Sequence, residues 1–340
     1  MQSAPSVAHD CVPLNALAEH VLDGGSLERV QAAAILSAPD ADLPELLHAA
    51  FRIRERYWGR RVKICMLRNA RSGLCAEDCH YCSQSAVSDA AVARYRLDSV
   101  PELLAGARRA VASGARRYCM ATSGRGPSAA DVARFTAAAR AIKAEHPNLE
   151  LCVSLGLMGE EAAHQLKAAG VGWVNHNLNT SRRFHPNICT THSYDDRIAT
   201  VRAVRRAGLS ICCGGIIGMG ETQEDVLDLA FALRDLRVDS LPVNFLHPVD
   251  GTPLAHQCAL TPGNCLRALC LFRFTNPESE IRVAGGREFN LGWFQSLALY
   301  PANSIFVEGY LTTPGQAAAA ARRMVTDMGF EVESLTEEHA

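Results

Sequence analysis

The chain has 340 residues, a net charge of −2 and a hydrophobic fraction of 48%. α/β barrels often reach this length as one unit, and this apolar content is sufficient for a large core. The near-neutral charge gives no reason to expect nucleic acid or an anionic membrane as a partner. There is no run of about 18 apolar residues, so we expect no transmembrane helix. The first residues lack the pattern of a secretory signal, so we expect a cytoplasmic protein.

The first 57 residues have the pattern of helices. Leu27–Leu36 and Leu43–Arg56 carry apolar residues at helical spacing, and Ser26 and Asp42 stand where helix caps are common. We therefore predict an N-terminal helical extension over residues 1–57.

From Val62 onward, short apolar runs alternate with Ala-rich amphipathic runs. The apolar runs predict strands at 62–67, 117–122, 149–155, 173–177, 209–217, 240–245, 281–284 and 304–306. The amphipathic runs predict helices at about 100–113, 129–145, 160–169, 194–207, 223–236, 261–274, 291–299 and 317–328. This alternation predicts a (β/α)8 TIM-type barrel over residues 58–330, although a doubly wound sheet shares the pattern. Residues 331–340 are predicted to form a C-terminal tail.

Three cysteines, Cys75, Cys79 and Cys82, follow the first predicted strand in a C-x-x-x-C-x-x-C arrangement. Thiolates this close together repel and oxidise unless they bind a metal. A structural zinc site usually has four protein ligands, whereas this local set stops at three. Three thiolates suit a four-iron cluster with one open iron, and Tyr81 before the last cysteine is typical of radical S-adenosylmethionine enzymes. A zinc knuckle and an electron-transfer cluster are the alternatives.

Further candidate residues lie on successive predicted strands, on the face where parallel barrels build active sites. A single strand cysteine is usually a small buried hydrophobic residue, but three on different strands with an arginine indicate a shared site. Amide side chains between Asn175 and Thr180 suit ribose hydroxyls or a ureido ring, with a capped turn as the alternative. These strand candidates are Cys119, Cys152, Asn177, Cys212, Asn244 and Arg282.

The ordered set of motifs between about residue 62 and residue 330 resembles that of the biotin synthases. The first motif alone indicates only the radical S-adenosylmethionine superfamily, whereas the complete series is specific to the family. The matching segments are SGLCAEDCHYCSQS, RRYCMATSGRGP, ELCVSLGLM, WVNHNLNTS, ICCGGIIGMGET, LPVNFLHPVDGTPL, IRVAGGREFN and ANSIFVEGYLTTPG.

The resemblance implies two iron–sulfur clusters and two small-molecule sites. It implies that Cys75, Cys79 and Cys82 hold a 4Fe-4S cluster. It implies that Cys119, Cys152, Cys212 and Arg282 hold a 2Fe-2S cluster, with Arg287 as an alternative to Arg282. Tyr81, Asn177 and Asn179 are then expected near S-adenosylmethionine, and Asn177, Asn244, Thr312 and Thr313 near dethiobiotin. The contacts of residues 121–127 stay open.

The resemblance also implies the reaction. The expected activity is that of a sulfurtransferase that converts dethiobiotin to biotin, the last step of biotin biosynthesis, with the second cluster as a sacrificial sulfur source. A flavodoxin or ferredoxin electron donor and a homodimer are expected. One alternative is another radical S-adenosylmethionine enzyme, such as lipoyl synthase. That family has an additional N-terminal cysteine cluster, whereas only Cys11 and Cys65 precede Cys75 here. The other alternative is a non-catalytic iron–sulfur or zinc protein.

Overall fold

The computed structural model describes residues 13–335, and its centre is a closed parallel barrel. β9 pairs with β1 to close the barrel, and β5 and β6 share one position because both pair with β7. Eight positions therefore surround the interior, which confirms the predicted (β/α)8 barrel. The barrel strands are β1 (Arg61–Arg71), β2 (Arg117–Thr122), β3 (Glu150–Ser154), β4 (Trp173–Asn175), β5 (Ser210–Cys212), β6 (Gly215–Ile217), β7 (Ser240–Phe245), β8 (Glu280–Val283) and β9 (Ser304–Val307).

The helices of the barrel layer begin where the sequence supplies caps. Several of them begin with a capping box, in which the side chains of the cap residue and of the third helical residue each accept a hydrogen bond from the other's backbone N–H. The cap residues include Ser128, Ser193, Thr222 and Thr261. The helix predicted at 291–299 differs, because a short α-helix precedes a 3-10 helix over Gly292–Leu299. The helices are α4 (Val100–Ala112), α5 (Ala129–Glu145), α6 (Glu160–Ala168), α7 (Tyr194–Arg206), α8 (Gln223–Asp235), α9 (Pro262–Thr275), α10 (Arg287–Leu291) and α11 (Ala318–Asp327).

The strand predicted over 209–217 is wrong in one respect, since it breaks into β5 and β6 at Cys213 and Gly214. The backbone at Gly214 passes so close to β7 that an added Cβ would lie 1.9 Å from the Pro242 carbonyl oxygen. Only glycine permits this approach. The break also admits Asn179, whose backbone N–H bonds the Gly214 carbonyl at 3.2 Å.

Within the described residues, three α-helices precede the barrel. They are α1 (Leu14–Leu22), α2 (Arg29–Leu36) and α3 (Leu43–Trp58). They pack on α8 and α9, and the Arg267 Nε of α9 donates to the Ala38 carbonyl at 2.6 Å. Residues 1–12 of the predicted extension, including Cys11, lie outside the described residues. None of the helices in the described range is long and apolar enough to cross a membrane.

Part of the predicted C-terminal tail, residues 331–335, is attached to the barrel. β10 (Glu331–Val332) pairs with the start of β1, and Glu333 lies 3.2 Å from Arg116 Nε and 3.9 Å from Lys63 Nζ. Residues 331–335 are therefore attached to the barrel, because strand pairing and buried ion pairs hold them. Residues 336–340 of the predicted tail lie outside the described residues.

A buried ion network fills the interior at the amino ends of the strands. Arg117 donates to Glu150 at 2.7 Å and to the two Glu280 oxygens at 3.1 and 3.0 Å. Lys63 donates to Glu150 at 2.9 Å. These side chains come from β1, β2, β3 and β8, so they connect four barrel positions at the end opposite the carboxyl ends of the strands.

Candidate active site

The three cysteines of the sequence motif lie on the loop that follows β1, at the carboxyl end of the barrel. We call residues 72–85 the cysteine loop. Ser72 forms an antiparallel bridge with Tyr95, and the Cys75 sulfur accepts a hydrogen bond from the Gly124 N–H at 3.3 Å. The His80 N–H donates to the Ile188 carbonyl at 2.9 Å. The loop is thus anchored to the segments that follow β2 and β4.

A cavity of about 200 Å³, the cysteine cavity, lies beside this loop. Cys75, Cys79 and Cys82 all line it, so the structure brings the three predicted cluster ligands to one space. Three thiols on one loop form a donor set that fits a four-iron cluster. The other walls include residues 121–125, His176, Asn177, Asn179 and Arg197.

The amide residues reach the cysteine cavity from the loop after β4. Asn177 Oδ1 accepts hydrogen bonds from the Gly214 N–H and from Asn175 Nδ2, both at 3.1 Å. Asn179 has a φ of 71°, a conformation that asparagine adopts more readily than most residues, and its Nδ2 donates to the Tyr81 hydroxyl at 2.5 Å. The structure therefore places Tyr81, Asn177 and Asn179 together on one wall.

His176 has a feature that the sequence does not reveal. Its ring is buried, and Nε2 has no hydrogen-bond partner among residues 13–335. Burial, together with the positive charge of Arg197 and nearby His192, lowers the pKa of His176 well below its usual value. The imidazole is therefore neutral, and His176 is one of the residues that line the cysteine cavity. A buried polar atom without a partner fits a site whose ligand completes the hydrogen bonding.

A second group of thiols, the barrel cysteines, lies inside the barrel. Cys119, Cys152 and Cys212 share an apolar cluster with Cys65, Ala284 and Phe306. Cys119 and Cys152 are paired neighbours on β2 and β3. Cys213 instead belongs to the main hydrophobic core, because successive strand residues point to opposite faces.

Arg282 reaches the barrel cysteines from β8. Its Nη1 lies 3.3 Å from the Cys212 sulfur, while Nε and Nη2 bond Ser304 Oγ at 3.0 Å and Ser240 Oγ at 3.1 Å. Glu280 contacts the same guanidinium. Arg287, the alternative ligand, lies elsewhere and bonds Gln295, Gln316 and the Phe306 carbonyl.

The charges around the barrel cysteines favour a thiolate at Cys212. A hydrogen bond from Cys152 lowers the pKa of Cys212 to about 5, and the charges of Arg282 and Arg117 act in the same direction against burial. Hydrogen bonds with Cys119 and Cys212, together with burial, raise the pKa of Cys152. Three thiols and a guanidinium in a dry interior thus form a donor set that fits a two-iron cluster.

Cys65 lies in the same apolar cluster as the barrel cysteines, although no sequence motif assigns it a role. Its sulfur lies 3.5 Å from Ser304 Oγ, and burial raises its pKa to about 12. The two-residue period of a β-strand could have placed the Cys65 side chain inside the barrel, because Lys63 and Cys65 of β1 lie on the same face of the sheet.

A second cavity of about 150 Å³, the substrate cavity, contains the remaining predicted residues. Asn244, Thr312 and Thr313 line it. Asn244 uses both ends of its amide on the backbone, since Nδ2 donates to Gly215 O at 3.0 Å and Oδ1 accepts from the Gly285 N–H at 2.9 Å.

The two cavities are adjacent and share part of their lining. The Thr312 hydroxyl lies 2.7 Å from Ser83 Oγ, so the far wall of the substrate cavity is bonded to the cysteine loop. The shared lining residues are Tyr81, Cys82, Gln84 and Leu311.

A parallel barrel with a three-cysteine loop at its carboxyl end defines a radical S-adenosylmethionine enzyme. The family model of the radical SAM superfamily matches residues 71–233. The model of the biotin and thiamin synthesis associated domain matches residues 242–331.

Curated relatives define the family more closely. The chain is 52% identical to a biotin synthase of Bacillus velezensis over 94% of each chain. It is 49% identical to a biotin synthase of Rhodopirellula baltica, over 95% of this chain and 90% of the relative. The chain belongs to the biotin synthase family. It therefore uses S-adenosylmethionine, a 4Fe-4S cluster and a second, 2Fe-2S cluster.

Solved structures agree on the fold. The crystal structure of methylornithine synthase (PylB) superposes with a TM-score of 0.83 at 20% identity, covering 94% of this chain and 98% of that chain. The hydrogenase maturase HydG gives a TM-score of 0.81 at 14% identity, covering 94% of this chain and 75% of that chain. Similarity at these identities concerns the barrel alone.

Proposed function

We propose that this chain converts dethiobiotin to biotin and that its two groups of cysteines divide the work. One observation supports separate roles for the two groups of cysteines. The substrate cavity includes Cys82 of the cysteine loop and also Tyr310, which packs on the barrel cysteines. A substrate in this cavity therefore lies between the two thiol groups, which a reaction that joins a radical carbon to sulfur requires.

The cluster ligands follow from the same arrangement. Cys75, Cys79 and Cys82 would hold the four-iron cluster, and Cys119, Cys152, Cys212 and Arg282 the two-iron cluster. When bound, the first cluster supplies the electron that cleaves S-adenosylmethionine and the second supplies sulfur. Three hydrogen bonds fix the Arg282 guanidinium beside Cys212, and one of its nitrogens would have to give up a proton to coordinate iron.

The amide wall of the cysteine cavity would orient S-adenosylmethionine. Asn177 and Asn179 are held in place by Gly214 and Tyr81, so their free hydrogen-bonding capacity is pre-organised. His176 adds a neutral imidazole whose Nε2 can donate to or accept from the ligand. These residues bind and position, while the reactive chemistry belongs to the cofactor.

The substrate cavity would hold dethiobiotin by shape and by a few polar groups. Asn244 fixes the backbone of Gly215 and Gly285, so it shapes the wall while both ends of its amide are engaged. Thr312 offers a hydroxyl that is already tied to Ser83, and Thr313 bonds the Tyr310 carbonyl at 2.8 Å. Apolar lining residues exclude water from the radical.

Partners and location are further parts of the proposal. A reduced flavodoxin or ferredoxin would supply the electron consumed in each cleavage. A homodimer is supported by Phe289, Trp293 and Phe294, which expose aromatic surface on one short segment. Cytoplasmic location is supported by the free cysteines throughout the described chain, since reducing compartments keep thiols unpaired. Sedimentation of the wild type and of Trp293→Ser tests the dimer.

Anaerobic reconstitution followed by turnover tests the function. The wild type should yield deoxyadenosine, methionine and biotin from S-adenosylmethionine and dethiobiotin under reducing conditions. The triple variant Cys75→Ala, Cys79→Ala, Cys82→Ala should form no deoxyadenosine. Cys258→Ala is the matched control, because it removes an exposed thiol outside both groups. Deoxyadenosine from the triple variant would show that the cysteine loop does not hold the catalytic cluster.

A further inference from the structure

A second set of metal ligands meets at Cys79. Cys189 and His192 lie on the segment between the 3-10 helix His185–Asn187 and α7. The Cys189 sulfur is 3.8 Å from the Cys79 sulfur, and all three residues are buried. One ligand atom from each lies within 4.8 Å of the others. No other role for Cys189 or His192 follows from the sequence motifs.

The segment that carries Cys189 and His192 is bound to the cysteine loop by several hydrogen bonds. Asp78 Oδ1 accepts from the N–H groups of Thr190 at 2.9 Å and Thr191 at 3.2 Å. The Thr191 hydroxyl is bonded to the Asp78 N–H at 3.2 Å. These bonds surround Cys79 and Cys189, so the thiols are held together by the fold itself and little ordering is needed on binding.

The distance between the two sulfur atoms matches one edge of a tetrahedral metal site. Metal–sulfur bonds of about 2.3 Å and metal–nitrogen bonds of about 2.05 Å give tetrahedral edges of about 3.8 Å for S···S and about 3.6 Å for S···N. The Cys79–Cys189 sulfur separation is 3.8 Å, whereas the Cys189 sulfur lies 3.3 Å from His192 Nδ1 and 3.6 Å from Nε2, so the imidazole must turn for Nε2 to point at a shared ion.

The hydrogen bonding of His192 leaves Nε2 as the nitrogen available for ligation. Its Nδ1 contacts the Glu77 carboxylate, which also accepts from the Thr191 hydroxyl at 2.9 Å. A carboxylate on one ring nitrogen fixes the tautomer and leaves the other nitrogen for a metal. Two thiols and an imidazole select thiophilic ions such as zinc(II) and iron(II) over magnesium or calcium.

We propose that Cys79, Cys189 and His192 bind one thiophilic divalent metal ion in the cluster-free protein. Binding releases the thiol protons to solvent and changes no oxidation state. A consequence follows for cluster assembly, and it rests on the proposed role of Cys79 as a ligand of the four-iron cluster. Since one sulfur serves both sites, the single ion and the cluster exclude each other, and bound zinc(II) delays assembly of the cluster.

Cobalt(II) binding to the anaerobic, metal-free protein tests the site without any turnover. Wild-type protein should bind an ion with thiolate-to-cobalt charge-transfer absorption and the ligand-field bands of a tetrahedral site. Cys189→Ser and His192→Gln should each weaken this binding by more than about 100-fold, since each removes a ligand. Glu77→Gln should weaken it about 10- to 100-fold. Circular dichroism checks that each variant is folded.

Cys75→Ala is the matched control, because it removes a thiol of the same loop that is not among the three ligands. It should keep the cobalt signal. If Cys75→Ala loses the signal while Cys189→Ser and His192→Gln keep it, the cysteine loop alone binds the ion and the proposal is wrong. Absence of a thiolate-bound ion in the wild type would also overturn it.

A second experiment separates the metal site from the cluster assignment. Zinc(II) is added to the metal-free protein before reconstitution, and bound iron and sulfide are followed over time. Assembly should be slowed in the wild type and much less affected in Cys189→Ser. Equal slowing in both proteins would refute the competition. Cobalt binding that depends on Cys189, with no effect of zinc on assembly, would instead contradict the assignment of Cys79 to the cluster.

Discussion

Replacing Glu280 by glutamine is expected to destabilise the barrel strongly, although the substitution keeps the size of the side chain. Glu280 is 1% exposed and accepts hydrogen bonds from Arg117 at 3.1 and 3.0 Å. It also contacts Arg282 and lies 3.4 Å from Lys63 Nζ. One carboxylate thus compensates three buried cations, one of which is the proposed ligand of the second cluster.

The magnitude follows from this geometry. Removing one member of a buried ion pair costs about 3–5 kcal/mol, because the partner charge is left uncompensated. Glu150 continues to pair with Lys63 and Arg117, whereas Arg282 loses its contact with a carboxylate. We therefore expect Glu280→Gln to lower the free energy of unfolding by about 3 kcal/mol or more. The second cluster should be depleted as well, because Arg282 loses its only carboxylate contact among the described residues and keeps only its bonds to Ser240, Ser304 and Cys212.

The effect should depend on pH. Burial raises the pKa of Glu280, but Arg117, Arg282 and Lys63 lower it further, so the pKa lies well below its usual value. A carboxylate of this kind stabilises the fold above its unfolded pKa of about 4.3 and loses that contribution as pH falls toward the folded pKa. The difference between wild type and Glu280→Gln should therefore be full at neutral pH and shrink in acid.

Urea unfolding of the cluster-free proteins, followed by circular dichroism from neutral pH down to about pH 3, measures this difference. Glu145→Gln is the control, because Glu145 pairs with Arg108 at 2.7 Å on the surface, where solvent screens the pair and it contributes little to stability. If Glu280→Gln costs no more than Glu145→Gln, the ion network does not stabilise the barrel as we argue.

Three further outcomes are expected at the active site. Cys152→Ala should still cleave S-adenosylmethionine but make little biotin, and normal biotin formation without a second cluster would contradict its role. Cys212→Ala should lose the second-cluster spectrum after reconstitution. Cys213→Ala should keep that spectrum and lose about 1 kcal/mol of stability from packing, and the reverse pattern of spectra would refute the assignment. His176→Phe should weaken S-adenosylmethionine binding about tenfold by calorimetry, the value of roughly one hydrogen bond, and unchanged affinity would show that Nε2 does not contact the ligand.

The barrel was predictable because its strands and helices carry local signals. The predicted bounds Arg117–Thr122 and Ser240–Phe245 coincide with β2 and β7, since these buried parallel strands read as continuous apolar runs. The break after Cys212 was not predictable, because it depends on how closely Gly214 approaches Pro242 on another strand.

The candidate site was predictable only in part. The cysteine loop is compact in sequence, and the resemblance to a family connected it with residues on distant strands. In contrast, Cys79 and Cys189 are 110 positions apart, so no local spacing brings His192 and Cys189 to the loop. Likewise, the residue type of Asn244 suggests a ligand contact, whereas tertiary geometry engages both ends of its amide with the backbone.

The pairing of β10 with β1 has a consequence for how the protein is made. Lys63 and Arg116 are synthesised more than 200 residues before Glu333, which lies near both. During elongation the nascent barrel must therefore hold these cations without that carboxylate. The amino end of the barrel can be completed only after residues 331–333 have left the ribosome. Premature termination a few codons before Glu331 would leave β1 without β10 and would favour aggregation or degradation of a polypeptide that carries all the barrel strands.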